Sequence, residues 1–317
     1  MLYYNESKQH LGISFFSSYI MNCDYFAFTG KQKKGKWVPA GFLNRIFVYF
    51  LSDPELAKKV YTENIGKNYS KDVQFAFRPN IEVCKLLSRL EKSKYLCEEY
   101  YREEEYGKNG KQFYLVAGRL YKSVYEEYAR LPFYKREQVY FKKAADTINK
   151  AIKMGKNIGF DTNKGTFTMT PYMILNDEWS THNYVIGLNS ERKVVNNRLT
   201  RMDTVFFVNE ESNITEDEEK MIKTQIEKAG IRFAQGQPKM IKLHLTPSGI
   251  ALYNDMEQMR PRYMEYDEEN SIYTFNCTTK QIRYYFWRFG ADVEILEPKW
   301  LRDEFAREYK KAAKLYE

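Results

Sequence analysis

The stretch from Thr166 to Val208 constrains the fold most. It opens with the alternating run Thr166-Phe167-Thr168-Met169-Thr170 and meets a break at Pro171-Tyr172. The apolar run Asn183 to Leu188 follows, then a polar turn, the arginine-bearing run Val194 to Met202, and Val205-Phe206-Phe207-Val208. Four short period-two segments with turn residues between them predict a small antiparallel sheet or barrel. A barrel this small fills its interior with its own side chains, so a ligand must sit on a rim or outer face.

The residues before this stretch predict a mostly helical domain. Tyr25 to Phe28 suggests a weak strand, and Lys31 to Lys36 a basic turn leading to Trp37-Val38-Pro39. Phe42, Leu43, Ile46, Phe47 and Phe50 recur at helical spacing until Asp53-Pro54. A second helix starts at Asn80, a good N-cap, and carries Val83, Leu86, Leu87 and Leu90. An acidic, solvated tail from Glu98 to Tyr106, a loop from Gly107 to Gly110 and a helix from Gln112 to Tyr128 complete the domain. A short basic strand before two helices resembles a ribbon-helix-helix module, which dimerises through its ribbon. The insert from Glu55 to Pro79 exceeds the compact form, and a plain helical domain is the alternative.

Leu131-Pro132 marks a boundary, after which a helix from Glu137 to Gly155 presents Phe141, Ala144, Ala145, Ile148 and Ile152 on one face. Beyond the sheet, Thr215 and Glu218 have the spacing of a capping box, and Gly230 closes that helix. The remainder predicts strand (Met240–Leu245), helix, a hairpin of Arg262–Tyr266 with Ile272–Phe275, helix, and strand (Val293–Leu296). That order is ferredoxin-like, with a terminal helix opened by Pro298. The whole is an α+β chain with domains over 1–131, 132–212 and 213–317, the last beginning with a linker helix.

Several function classes are disfavoured. Cys23, Cys84, Cys97 and Cys277 have no CxxC spacing, and His10, His182 and His244 are scattered, so neither a metal nor a disulfide framework is expected. No apolar run approaches membrane-spanning length and no secretory leader is evident, so a cytoplasmic protein without a membrane partner is expected. No GxSxG, HExxH, P-loop or strand-linked GxGxxG occurs, so neither an enzyme nor a cofactor is expected. The net charge of +8 suits an anionic partner, and 16% aromatic residues suit single-stranded nucleic acid. A Lys/Tyr-rich genome would give the same composition.

Pro171-Tyr172, Asn183-Tyr184-Val185 and Arg198-Leu199-Thr200-Arg201-Met202 together resemble a WYL domain, whose naming tripeptide Trp-Tyr-Leu keeps only its tyrosine here. The ending Gly290 to Pro298 with Leu301-Arg302 resembles the WCX extension that follows it, the two covering about 140–317. The resemblance implies a small Sm/SH3-like β-barrel that binds nucleic acid or another anionic effector. With a ribbon-helix-helix N-terminus, it further implies likeness to the WYL accessory proteins encoded beside RNA-targeting type VI CRISPR effectors. Such a protein would be a homodimer that binds single-stranded RNA and enhances the effector in antiviral defence. The alternative is a ligand-responsive DNA-binding transcriptional regulator with the WYL segment as sensor.

Arginine's planar fork suits phosphate, which makes Arg198 and Arg201 the leading site candidates. Three apart on a strand they would face opposite ways, unless a bulge or strand end near Thr200 brings them together. Tyr172 and Tyr184 could stack a base or bond a phosphate, although Tyr184 shares a face with Ile186 and Leu188 and suits a core equally. His182 lies on that same face, and Ser180 and Asn183 are the remaining candidates.

Overall fold

A computed structural model describes residues 13–32, 38–64, 78–93, 101–105, 111–115, 117–177, 182–211 and 213–317. The chain divides into two compact units, 1–142 and 143–317. Mixed helices and antiparallel sheets make it α+β.

The first unit contains α1 (Ile13–Thr29), α2 (Ala40–Leu51), α3 (Pro54–Asn64) and α4 (Ile81–Ser93). The hairpin β1 (Tyr101–Glu105) with β2 (Lys111–Leu115) precedes α5 (Ala117–Arg130) and α6 (Phe133–Tyr140). One apolar cluster holds it together, with Met21, Phe28, Phe42, Ile46, Phe47, Phe50, Leu90, Leu120, Val124 and Tyr128 buried. Asn80 caps α4 as its position predicts: its Oδ1 accepts from Val83 N at 2.9 Å. Its own N–H donates to Asn44 Oδ1, also at 2.9 Å, which ties α4 to α2.

Three local expectations fail here. Tyr25 to Phe28 lies in α1, because Met21 and Phe28, two turns apart, bury together and helical spacing overrides the short aromatic alternation. The expected acidic tail contains β1, and the helix expected from Gln112 starts only at Ala117, since Gln112-Phe113-Tyr114-Leu115 pairs as a strand. Lys33 to Trp37, the core of the proposed ribbon, and Gly107 to Gly110 lie outside the described residues.

The second unit opens with α7 (Lys142–Met154), so the helix expected from Glu137 is two helices meeting at Phe141. Gly155 ends α7 at φ +59°, a conformation that favours glycine. Then come β3 (Lys156–Thr162), β4 (Gly165–Asn176), β5 (Asn183–Leu188), β6 (Val194–Arg198) and β7 (Val205–Glu211). They pair antiparallel in the order β6-β5-β4-β3-β7. β3 is the strand that the period-two reading overlooks. Its Gly159 lets the Phe206 ring lie against the backbone, where a Cβ would come within 2.4 Å of it. Pro171 does not break β4: the register with β5 shifts between Pro171 and Met173, so the missing N–H falls at a bulge. Among the described residues no pairing of β6 with β7 closes the sheet, so no closed barrel is seen.

α8 (Glu216–Ala229) starts at the expected capping box: Thr215 Oγ1 accepts from Glu218 N at 3.3 Å, and Glu218 Oε2 accepts from Thr215 N at 3.0 Å. A 3-10 turn, Ile231–Phe233, leads to β8 (Lys239–Leu245), α9 (Pro247–Asp255), β9 (Tyr263–Asp267) and β10 (Ile272–Cys277). Next are α10 (Thr279–Phe286), β11 (Val293–Glu297) and α11 (Lys299–Ala313). The strand-helix-strand-strand-helix-strand order expected from the sequence is observed, with the four strands antiparallel in the order β11-β8-β10-β9. Thr246 and Thr278 cap α9 and α10 as their positions predict. α10 stops at Phe286 rather than Phe289, and a 3-10 segment continues to Asp292.

Candidate nucleic-acid interface

β6 ends at Arg198, and Leu199–Arg201 forms a 3-10 turn anchored by the fully buried Leu199 and Met202. Arg198 is the extended residue before this turn and Arg201 its last residue, and both lie near enough to Lys280 for their charges to oppose its protonation. Tyr184 lies directly across from Arg198 on β5. Its hydroxyl accepts from Arg198 Nε at 3.0 Å, and the guanidinium sits 5.7 Å from the ring centroid. The ring itself is only 3% exposed, packed with Ile186, Leu188, Val194 and Ile222. Tyr184 thus holds Arg198 in place and offers no open face for stacking.

Two further cations join this pair. Arg232, on the 3-10 turn after α8, lies over the Tyr284 ring at 4.0 Å. Lys280, in the first turn of α10, is exposed. Crowding by protein atoms and then the charges of Arg201, Arg232 and Arg198 hold its ammonium below the usual lysine pKa. Desolvation and like charge both disfavour the protonated form. Among the described residues no carboxylate lies within ion-pair distance of Arg198, Arg201, Arg232 or Lys280. Four cations converge with no fixed counter-charge among the described residues.

α10 extends this basic surface. Lys280, Arg283, Tyr284, Trp287 and Arg288 follow one another at helical spacing and line a shallow groove with Thr279. Tyr284 and Trp287 are 40% and 39% exposed. Arg288 approaches Tyr284 at 5.5 Å, while Trp287 stacks on Tyr309 with centroids 4.5 Å apart. Arg283 pairs with Glu304 and is neutralised. The signal for this face was present in the sequence: Lys280-x-x-Arg283-Tyr284-x-x-Trp287-Arg288 is the complement of the buried stripe Ile282, Tyr285, Phe286, Phe289.

The other sequence candidates lie elsewhere. Tyr172 is half-buried, and its hydroxyl donates to Glu219 Oε1 of α8 at 2.7 Å. Burial and then this carboxylate raise its pKa. His182 precedes β5, and its carbonyl accepts from Asp177 N at 2.9 Å. Asn183 is completely buried at the start of β5. Ser180 lies outside the described residues. Of the candidates, Arg198, Arg201 and Tyr184 come together, and Arg232, Lys280, Tyr284 and Arg288 were missed.

Residues 240–313 match the family model described as WCX domain. This part of the chain is similar to a WCX domain. Its span runs from β8 through α11, so Lys280 and the α10 face belong to WCX, while Arg198 and Arg201 come from the WYL-type segment before it. The WYL–WCX recognition drawn from the sequence is met. A solved structure, "Crystal structure of a CRISPR Cas-related protein", superposes with a TM-score of 0.59 over 98% of this chain and 96% of that one. At 19% identity the likeness shows a shared fold, including the elements around WCX. Proteasome accessory factor B/C of Arthrobacter aurescens matches 78% of this chain and 38% of its own. Its 16% identity and TM-score of 0.29 bear no weight. No curated protein matches the chain by sequence.

Proposed function

We propose that this chain is a non-enzymatic regulator that binds single-stranded RNA along the surface formed by Arg198, Arg201, Arg232, Lys280 and the α10 face. The observation that carries this reading is the convergence of four cations without a carboxylate partner among the described residues. Each uncompensated cation raises the local potential, and phosphate oxygens neutralise it while accepting charge-assisted hydrogen bonds. Exposed aromatics beside the cations suit unpaired bases, which offer their faces as duplex bases do not. The likeness to a CRISPR Cas-related protein supports a role as accessory modulator of an RNA-targeting CRISPR effector. In this reading WCX is ferredoxin-like, the five-stranded sheet is an Sm-like barrel left open, and a ribbon at the N-terminus joins two copies.

The test is competition at physiological salt between single-stranded RNA and the duplex upstream of the protein's own gene. RNA is expected to win. Preference for the duplex by more than about tenfold, an energy of about 1.4 kcal/mol, would instead indicate a ligand-responsive transcriptional regulator.

A further inference from the structure

We propose that the Arg198–Arg201–Arg232–Lys280 cluster takes a phosphate monoester dianion, the phosphate that ends an RNA strand, rather than a phosphodiester within it. This inference rests on the RNA-binding reading above and narrows its ligand. An internal phosphodiester carries one negative charge and two free oxygens. A terminal phosphate carries about −1.5 to −2 at neutral pH and presents three acceptor oxygens.

The cluster is built for the larger charge. Its cations arrive on three separate elements: the turn after β6, the turn after α8, and α10. The elements touch one another: Asn196 of β6 donates from Nδ2 to the Ile231 carbonyl at 2.5 Å, and Arg232 lies over Tyr284, one turn along α10 from Lys280, whose protonation Arg201, Arg232 and Arg198 each oppose. Two of the arginines are fixed before any ligand arrives. Arg198 is held by the Tyr184 hydroxyl at 3.0 Å. Arg232 is held over Tyr284 at 4.0 Å, with its Nη1 also 3.3 Å from Met259 Sδ. Preorganised donors lose little entropy on binding, so the mutual repulsion of the cluster is relieved in proportion to the charge that enters.

Three other arginines of the second unit provide a contrast. Arg192 is met by Glu218, Arg283 by Glu304 and Arg302 by Glu294. Each of those pairs sums to zero charge within the fold. Among the described residues the cluster sums to four positive charges when Lys280 is protonated, which one diester leaves largely uncompensated. From the cluster, the α10 face with Tyr284, Trp287 and Arg288 leads away as a single surface on which the nucleotides behind the terminal phosphate would lie.

The experiment compares four probes on the full-length protein at fixed salt. They are one RNA ten-mer with a 5′-phosphate, the same ten-mer with a 3′-phosphate, the ten-mer with hydroxyl at both ends, and a free nucleoside monophosphate. One phosphorylated ten-mer is expected to bind about tenfold tighter than the hydroxyl form, as one or two additional charge-assisted hydrogen bonds would give. In Lys280→Gln and Arg232→Gln that preference should shrink to less than about threefold, while the hydroxyl ten-mer loses less. Equal affinity for all three ten-mers would overturn the proposal and leave the RNA-binding reading standing. Binding of the monophosphate with no binding of any ten-mer would support the dianion site and overturn the RNA-binding reading. Binding by none of the probes would overturn both.

Discussion

Arg136 in the first unit and the Arg198–Arg201–Arg232 group in the second use the same side chain in opposite ways. Arg136 is nearly buried and fully matched. Its Nε meets Asp24 Oδ2 at 2.6 Å, its Nη2 meets Asp24 Oδ1 at 3.2 Å, and its Nη1 donates to the Leu131 carbonyl at 2.5 Å. The Tyr128 hydroxyl completes the site by donating to Asp24 Oδ2 at 2.8 Å. In the second group Arg198 has a hydroxyl and Arg232 an aromatic partner, and among the described residues none of the three has a carboxylate. An arginine whose charge is cancelled inside the fold orients structure. One whose charge is left over has capacity for something from outside.

The largest effect expected from this contrast is on stability. Asp24→Ala strands a buried guanidinium and should destabilise the first unit by roughly 3–5 kcal/mol, read from urea unfolding. Burial outweighs Arg136 and holds the Asp24 carboxyl above its usual range. Replacing both partners, Asp24→Leu with Arg136→Met, should therefore recover most of the loss. A single variant without measurable destabilisation would break the comparison on its structural side.

A smaller effect is expected at Arg192, which lies just before β6 while Arg198 ends it. Arg192 Nε donates to Glu218 Oε1 at 2.6 Å, and Glu218 also closes the cap of α8. Glu218→Ala should cost about 1–2 kcal/mol, the combined loss of a cap and a partly exposed ion pair, and leave RNA affinity unchanged. The guanidinium, then the Thr215 backbone, lower the Glu218 pKa to about 2. A depressed carboxylate stabilises the fold above its unfolded value of about 4.3. That stability should be lost as pH falls from about 4.3 toward about 2, and the loss should vanish in Glu218→Ala.

The smallest effect has the opposite sign. The Lys280 ammonium is disfavoured where it lies, so Lys280→Gln should leave stability unchanged or raise it by a few tenths of a kcal/mol after solvent screening. The same variant should weaken RNA binding. Loss of stability together with unchanged binding would make Lys280 an ordinary structural lysine.

The elements that were legible in the sequence have local causes. The Thr215–Glu218 box, the Asn80, Thr246 and Thr278 caps, the apolar stripe of α2 and the strand order of WCX each depend on residues a few positions apart. Where the reading failed, partners distant in sequence decided. β3 is interrupted by Gly159, and it becomes a strand because β4 and β7 flank it. Tyr25 to Phe28 alternates like a strand yet packs as a helix against α2 and α6. Arg198 and Arg201 were legible as candidates from residue type, but the strand ends at Arg198 and a 3-10 turn carries Arg201, a change of conformation that strand periodicity does not contain. Arg232 and Lys280 lie 34 and 82 positions after Arg198, so no local pattern joins them to it.

The central claim is that unmatched arginines bind phosphate while matched ones do not. The most direct measurement is the affinity for a single-stranded RNA ten-mer across a salt series, for Arg198→Gln, Arg201→Gln and the control Arg302→Gln. Arg302 is exposed and paired with Glu294, so its loss tests surface charge alone. Each cluster variant is expected to weaken binding and to lower the salt slope by about 0.7, the contribution of one phosphate contact on a single strand. Arg302→Gln should leave the slope as it is. Equal slopes in all three variants and in the parent protein would contradict the claim.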